Sequence, residues 1–311
     1  MKIFKTLTLL ALVLTLACPA HAQTYQLPNA GFETWDGGNT SEPTNWNTFE
    51  SSDGSYASMA SSNHHYRRNG HRTGGTGSYF LTVYTKSILT VKANGNMTTG
   101  CIHAGAMSAT STSNYNYTKR SDANHYCTFT ATPDSMYVWV SYYASSTSSE
   151  ASISAYIHGN TDFKDPNDGT TTSAYKGYAK TTFARTSSSA SSYSWQLKKV
   201  PFVYDGTSTA NYILVSLTSN KTPGAGAAND SLSIDDIEFI YSAWLNGITI
   251  DGAPLAGFQK ATFNYTLSGY QQSTFHGLQI GCTTEVSDAT VSIDSTDFVD
   301  GQGQGRHYTI H

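Results

Sequence analysis

An all-β fold, built as a β-sandwich, follows from three observations on the 311-residue sequence. After the first two dozen residues, no stretch of ten or more keeps apolar side chains at helical spacing. Short alternating runs bounded by Gly, Ser, Asn, Asp and Pro recur instead, as they do when one strand face is buried and the other wet. Composition agrees: only 13% of residues are charged, 13% are aromatic, and Tyr (21) and Gly (26) abound while Leu is scarce.

Taken from the N-terminus, Lys2 and Lys5 precede an apolar run, Leu7 to Ala17, that is too short to span a bilayer. Ala20-His21-Ala22 then offers the small-x-small pattern of signal cleavage, so residues 1–22 are expected to direct export to the periplasm, the cell surface or the medium. Leu16-Ala17-Cys18 is loosely lipobox-like, but Pro19 after the cysteine and Thr15 before the leucine favour cleavage behind Ala22. No later segment is apolar enough to cross a membrane. The remaining 289 residues carry 16 Lys and Arg against 22 Asp and Glu, a mild acidity that supplies no attraction for nucleic acid or anionic lipid. Three cysteines remain, Cys101, Cys127 and Cys282. An odd number builds no disulfide framework, and Cys101 and Cys127 either meet on neighbouring strands or stay as buried free thiols.

Strands are expected over Tyr79–Val91, Tyr126–Thr132, Tyr137–Tyr143, Ala151–Ile157, Lys198–Tyr204, Tyr212–Leu217 and Leu232–Tyr241, then over Trp244–Ile250 and Ala261–Leu267. The Ser/Thr-rich pieces Ser145–Ser149 and Thr186–Ser194 read as loops between them. A boundary falls near Tyr241–Ala243, where a strongly β strand ends and Leu245-Asn246-Gly247-Ile248 begins a new pattern. This divides the chain into a large domain, 23–242, and a small Ig-like sandwich, 243–311, expected either to be minimal or to lack the continuation of its last strand, Arg306–His311.

Asn29-Ala30-Gly31-Phe32-Glu33, with Pro43-Thr44-Asn45-Trp46 a dozen residues on, resembles the opening of galactose-binding-like jelly-roll modules. Ile234-Asp235-Asp236-Ile237 is similar to their closing strand. Between these ends, Thr132-Pro133-Asp134-Ser135-Met136, Trp195 with Val200-Pro201-Phe202, and Tyr212-Ile213 resemble a narrower group, the bacterial carbohydrate metabolism domain family common in gut Bacteroidota. The resemblance covers roughly residues 25–241. The tail from Leu245 through Gly257-Phe258 and Tyr265 is similar to the cadherin-like or Ig-like sandwich often found beside it. It implies a jelly-roll carbohydrate-binding module that binds or helps process glycans. It also implies a structural Ca²⁺ held by Glu33 and Asp235, with Asp236 a weaker candidate. The residues allow the same outcome, since carboxylates from the first and last strands make a hard-oxygen site when backbone carbonyls join them. They equally allow both side chains simply to accept backbone hydrogen bonds at a sandwich edge.

Strand periodicity supplies a second candidate site. In Tyr137–Tyr143, Val138 and Val140 take one face and Tyr137, Trp139 and Tyr143 the other. In Ala151–His158, Ala151, Ile153, Ala155 and Ile157 oppose Ser152, Ser154, Tyr156 and His158. Joined as an antiparallel hairpin through Ala144–Glu150, the two strands are expected to gather Tyr137, Trp139, Tyr143, Tyr156 and His158 on one outer surface. Flat rings there would cover the C–H faces of sugars while His and Tyr groups meet the hydroxyls. The alternative is that aromatics are merely favoured on strands and that this face is covered.

His64 to Arg72 is rich in His and Arg but has no zinc-ligand spacing, and reads as a solvated loop. Asp162 to Gly169 places Lys and Pro where a calcium loop needs oxygen ligands, and reads as a turn. No Gly-x-Ser-x-Gly elbow, His-Glu-x-x-His or phosphate-cradling loop occurs. The expected function is therefore a secreted, non-catalytic glycan-binding accessory protein that engages polysaccharide or oligosaccharide, alone or in a cell-surface glycan-utilisation assembly. The alternatives are a glycoside hydrolase or lyase acting on polysaccharide, and an adhesin or assembly protein.

Overall fold

The computed structural model describes residues 12–16, 25–61, 64–166, 174–241, 244–260, 262, 264–267, 277–284, 291–300 and 303–310. Most of the predicted signal, the junction 242–243, and the end of the predicted turn near Gly169 lie outside them. The chain forms two compact units. One is Tyr25–Ile240, and the other joins Tyr241–His311 with the N-terminal 24 residues.

Among the described residues twenty-one strands run in order, with little helix. They are β1 (Leu12–Leu16), β2 (His65–Asn69), β3 (Tyr79–Tyr84), β4 (Lys86–Ile88), β5 (Val91–Ala93), β6 (Asn96–Thr98) and β7 (Cys101–Ala104). There follow β8 (Asn114–Tyr117), β9 (Ser135–Tyr143), β10 (Glu150–His158), β11 (Lys164–Asp165), β12 (Tyr175–Ala184), β13 (Gln196–Pro201), β14 (Tyr212–Thr218) and β15 (Ser231–Ile240). The rest are β16 (Leu245–Ile250), β17 (Ala253–Pro254), β18 (Asn264–Leu267), β19 (Ile280–Thr284), β20 (Ile293–Asp300) and β21 (Gly303–Ile310). A short helical turn, α1 (Ala57–Ala60), precedes β2, and a 3-10 turn spans Ala123–His125.

In the larger unit a five-stranded sheet, β13-β9-β15-β3-β2, and a four-stranded sheet, β12-β10-β14-β6, form a jelly-roll-like sandwich. Register decides which side chains fill it. On the first sheet Met136, Val138, Val140 and Tyr142 oppose Phe239, Ile237, Ile234 and Leu232. On the second, Ile153, Ala155 and Ile157 oppose Leu217, Val215 and Ile213. All of these are buried, as the alternation requires, because every second side chain of a central strand enters the core.

The expected hairpin of Tyr137–Tyr143 with Ala151–Ile157 does not form. β9 lies between β13 and β15, and β10 lies between β12 and β14, so the connection Ala144–Ser149 crosses from one sheet to the other. Two strands whose aliphatic faces both point inward from different sheets present their outer faces on opposite sides of the sandwich. Three further expectations are corrected. Tyr79–Val91 is not one strand but β3, β4 and the start of β5, with a turn at Leu89 and Thr90. Residues 65–69 are an edge strand rather than a loop, with His64 and His65 buried. The stretch 126–132 makes only an isolated bridge, Thr128 to Tyr212.

The motif that opens this unit is explained by its backbone. Asn29 and Phe32 adopt left-handed conformations (φ +50° and +56°), and the Asn29 side chain bonds Thr34 and Thr44 across the turn. That geometry drives Phe32 into the core, 5.1 Å from the buried ring of Trp46, whose indole N–H reaches the Pro28 carbonyl.

Among the described residues the smaller unit has two sheets, β18-β1-β21-β20 and β17-β16-β19. Its core is Ile248, Ile250, Leu255, Leu278, Tyr308 and Ile310. Asp251 and Gly252, both at positive φ, make the tight turn between β16 and β17. Leu12–Leu16, inside the predicted signal, pairs antiparallel with β18 and parallel with β21. A Val/Leu/Thr run has the β propensity to satisfy both edges. The three cysteines beyond the signal are free thiols, and burial pushes Cys101 and Cys127 up to about 12 and Cys282 to about 11, which makes them poor nucleophiles. Among the described residues no helix is long and apolar enough to cross a membrane.

Candidate functional site

A cavity of about 710 Å³ opens over the outer face of β12-β10-β14-β6. Its floor comes from the positions on β10 that alternation turns away from the core. Ser154 lies beside Lys180 on β12 and Ser216 on β14, and Ser152 lies beside Thr182 and Thr218. All six line the cavity. Two rows of hydroxyls, one ending in an ammonium, thus cross the sheet. Ser152 and Thr218 are hydrogen-bonded at 2.8 Å, and Asn96 and Asn116 exchange amide hydrogen bonds at 2.8 and 3.0 Å at the floor's edge.

Tyr156 continues the floor beside Tyr178, and its ring packs on Phe163 at 5.1 Å. Burial, with Asp165 nearby, pushes its phenol up to about 12, so it meets a ligand as a neutral donor and acceptor. Asp165, on β11, enters from the side and accepts a hydrogen bond from Ser154. Burial raises its carboxyl above the usual range against the pull of Ser154, Ser216 and Lys180. It is the single carboxylate among the described lining residues.

On the far wall His103 and Tyr115 stack at 4.8 Å. Asp53 lies 2.6 Å from His103 Nδ1, and accepts from the Tyr117 hydroxyl (2.7 Å) and Lys119 (2.9 Å). Burial alone would raise the Asp53 carboxyl, but the hydrogen bonds from Tyr117, Lys119 and His103 hold it at about 2. A carboxylate that stays ionised orients the imidazole.

Of the five side chains expected to share a platform, Tyr156 alone lines this cavity. His158 is fully buried, stacked on Phe163 and Tyr212, and bonded to Thr118 Oγ1 and the Gly159 carbonyl. Tyr137, Trp139 and Tyr143 stand on the outer face of the other sheet, each beneath a cation. Lys199 covers Tyr137 at 4.9 Å, Arg72 covers Trp139 at 4.5 Å, and Arg185 covers Tyr143 at 5.4 Å. Ser154, Lys180, Asp165 and the Asn96–Asn116 pair were not singled out from sequence. The available signal was Ser152-x-Ser154 and Ser216-x-Thr218 at outward positions, small polar groups where a bare strand face would carry larger ones.

The two ends of the larger unit meet at a corner. Gln26 exchanges hydrogen bonds with the Phe239 backbone, and Ile237 N–H donates to the Ala30 carbonyl at 3.0 Å. Glu33 accepts from the backbone N–H groups of Ser78 (2.8 Å) and Tyr79 (3.3 Å). Asp235 Oδ2 accepts from Arg72 N–H at 2.7 Å, and Asp236 pairs with Arg72 Nε at 2.5 Å. Among the described residues no group of three or more His, Cys, Asp or Glu gathers closely enough to hold a metal. The fit to Ca²⁺ comes down to one atom, Asp235 Oδ1, which is buried with no hydrogen-bond partner. Burial pushes the Asp235 carboxyl up to about 6.

No family model matches the chain, and the curated proteins give no match. Among solved structures it is similar to a Bacteroides thetaiotaomicron VPI-5482 protein named provisionally as a glycoside hydrolase, at 17% identity and a TM-score of 0.47, over 63% of this chain and 62% of that one. It is also similar to an arabinose-bound MgGH51 α-L-arabinofuranosidase, at 8% identity and a TM-score of 0.34, over 74% of this chain and 32% of that one. The chain therefore spans less than two thirds of either protein. At these values the likeness supports no statement about activity.

Proposed function

We propose that the chain is a secreted, non-catalytic glycan-binding protein whose saccharide lies on the outer face of the four-stranded sheet. The observation that carries this is the double row of hydroxyls across the cavity floor, flanked by the Tyr156 ring, the Lys180 ammonium and the Asn96–Asn116 amides. Such a surface offers a polyol donors and acceptors in two rows and an aromatic face for its C–H groups. Hydrolysis by a pair of carboxylates needs two of them roughly 5–10 Å apart across the sugar. The described lining offers Asp165 alone.

The rival reading, a hydrolase or lyase, has one observation in its favour: His103, held by Asp53, faces the same cavity. A glycan panel read for both affinity and product separates the two. The test uses Tyr156→Ala, Lys180→Ala and, as a control on the other sheet, Trp139→Ala. Roughly tenfold weaker polysaccharide binding is expected for the first two, the scale of one lost stacking or charged contact, with no loss for the third. Loss confined to Trp139→Ala overturns the assignment, and product formation that His103→Ala abolishes makes the protein an enzyme.

We further propose a structural Ca²⁺ at the Asp235 corner, with Asp236 and Glu33 as neighbouring carboxylates. It is supported by the unpartnered Asp235 Oδ1. Export through residues 1–22 belongs to the same reading. Cleavage behind Ala22 would carry β1 away and leave the edges of β18 and β21 open to a partner strand, which suits a module that docks in a larger assembly.

A further inference from the structure

The hydroxyl floor is one side of the cavity. Another part of the lining, made by Met59 on α1, Ile88, Leu89 and Val91 on the β4–β5 hairpin, and Met107 after β7, is apolar. Seven large apolar side chains stand exposed among the described residues. Three of them, Met59 (40%), Leu89 (76%) and Met107 (47%), come from separate segments and converge here.

Leu89 is the sharpest case. Ile88 pairs with Val91, so Leu89 and Thr90 form a two-residue turn, and Leu89 adopts φ +53°. Tight turns of this kind take Gly, Asn or Asp at such a position because a branched side chain is strained there. Neither backbone preference nor burial accounts for a leucine at that site. A residue that costs conformational energy and exposes apolar surface marks a candidate contact site.

A plain polyol would leave this wall wet. We infer that the ligand is amphiphilic: a saccharide ring on the Ser/Thr/Lys180 floor carrying an apolar substituent, an acyl or alkyl group, that lies under Leu89 against Met59 and Met107. This rests on the glycan reading and adds the chemical class of the substituent.

The test is calorimetric titration of the full chain with methyl and octyl β-D-glucosides and β-D-galactosides below their micellar concentrations, with octanol as a ringless probe. Burying several methylenes predicts that at least one octyl glycoside binds about tenfold or more tightly than its methyl partner, and more tightly than octanol. In Leu89→Asn the octyl preference falls to within about twofold, while the melting temperature stays level or rises because asparagine suits the turn. Met107→Ser gives the same loss of preference.

Equal affinity for methyl and octyl partners overturns the inference, as does a preference that survives both substitutions. If polysaccharide binding still responds to Tyr156→Ala and Lys180→Ala, the glycan reading stands without it. Octanol binding as tightly as the tighter of the two octyl glycosides overturns the ring on the floor, and the glycan reading falls with it only if polysaccharide binding is also indifferent to Tyr156→Ala and Lys180→Ala.

Discussion

His158 carries a buried imidazole without a charge. The Gly159 carbonyl can only accept, so Nδ1 holds the proton and Nε2 receives the Thr118 hydroxyl. Burial, with Arg120 adding repulsion, lowers its pKa to about 4, and burial does the same to His64. A histidine depressed in the folded state favours folding fully above the unfolded value of about 6.5. That contribution is lost as pH falls toward 4, because the unfolded chain takes the proton first. Stability is expected to decline between pH 6.5 and 4, by up to about 3 kcal/mol for each ring. Proton NMR is expected to show His158 titrating with a midpoint near 4, and a midpoint at 6 or above contradicts its burial. His158 also shows what a residue pattern conceals. Alternation puts it on the outer face of β10, but it pairs with Tyr175 after a register shift, and Phe163 and Tyr212 close over it.

Within single strands the inward and outward sets of β9 and β10 were legible, because alternating burial is a local property of the chain. Their pairing was not. A short polar connection serves a hairpin or a crossing between sheets equally well, and only the partners β13, β15, β12 and β14 decide it. β12 was missed because its inward positions run Gly177, Ala179 and Thr181 before a single large apolar residue, Phe183. A side chain at Gly177 would sit 2.4 Å from the Tyr204 ring, so close packing there removed the apolar residue that alternation relies on. The closing strand β15 was legible, and so was its contact with the opening motif, where a bulge at Asp235–Ile237 turns two carboxylates toward Arg72. If Ca²⁺ serves Asp235, chelation is expected to lower the melting temperature by several degrees. Unchanged melting assigns the corner to the Arg72 ion pair and the backbone donors on Glu33.

Across the larger unit, the site is a property of the sandwich rather than of any segment. The cavity draws on α1, the β4–β5 hairpin, the β7–β8–β11 sheet and the outer face of β12-β10-β14-β6, which span more than a hundred residues of sequence. No short motif could mark it, whereas the two ends of the module, tied by Gln26 to Phe239, are short and could be recognised. The two sheets present separate outer faces, one with its rings capped by Arg72, Lys199 and Arg185, the other open and hydroxylated. Hydrogen–deuterium exchange of the protein with and without the best-binding oligosaccharide from a glycan panel distinguishes them most directly. Protection is expected in 150–158, 175–184 and 212–218. Protection confined to 135–143 and 196–201 would contradict a saccharide seated on the four-stranded sheet.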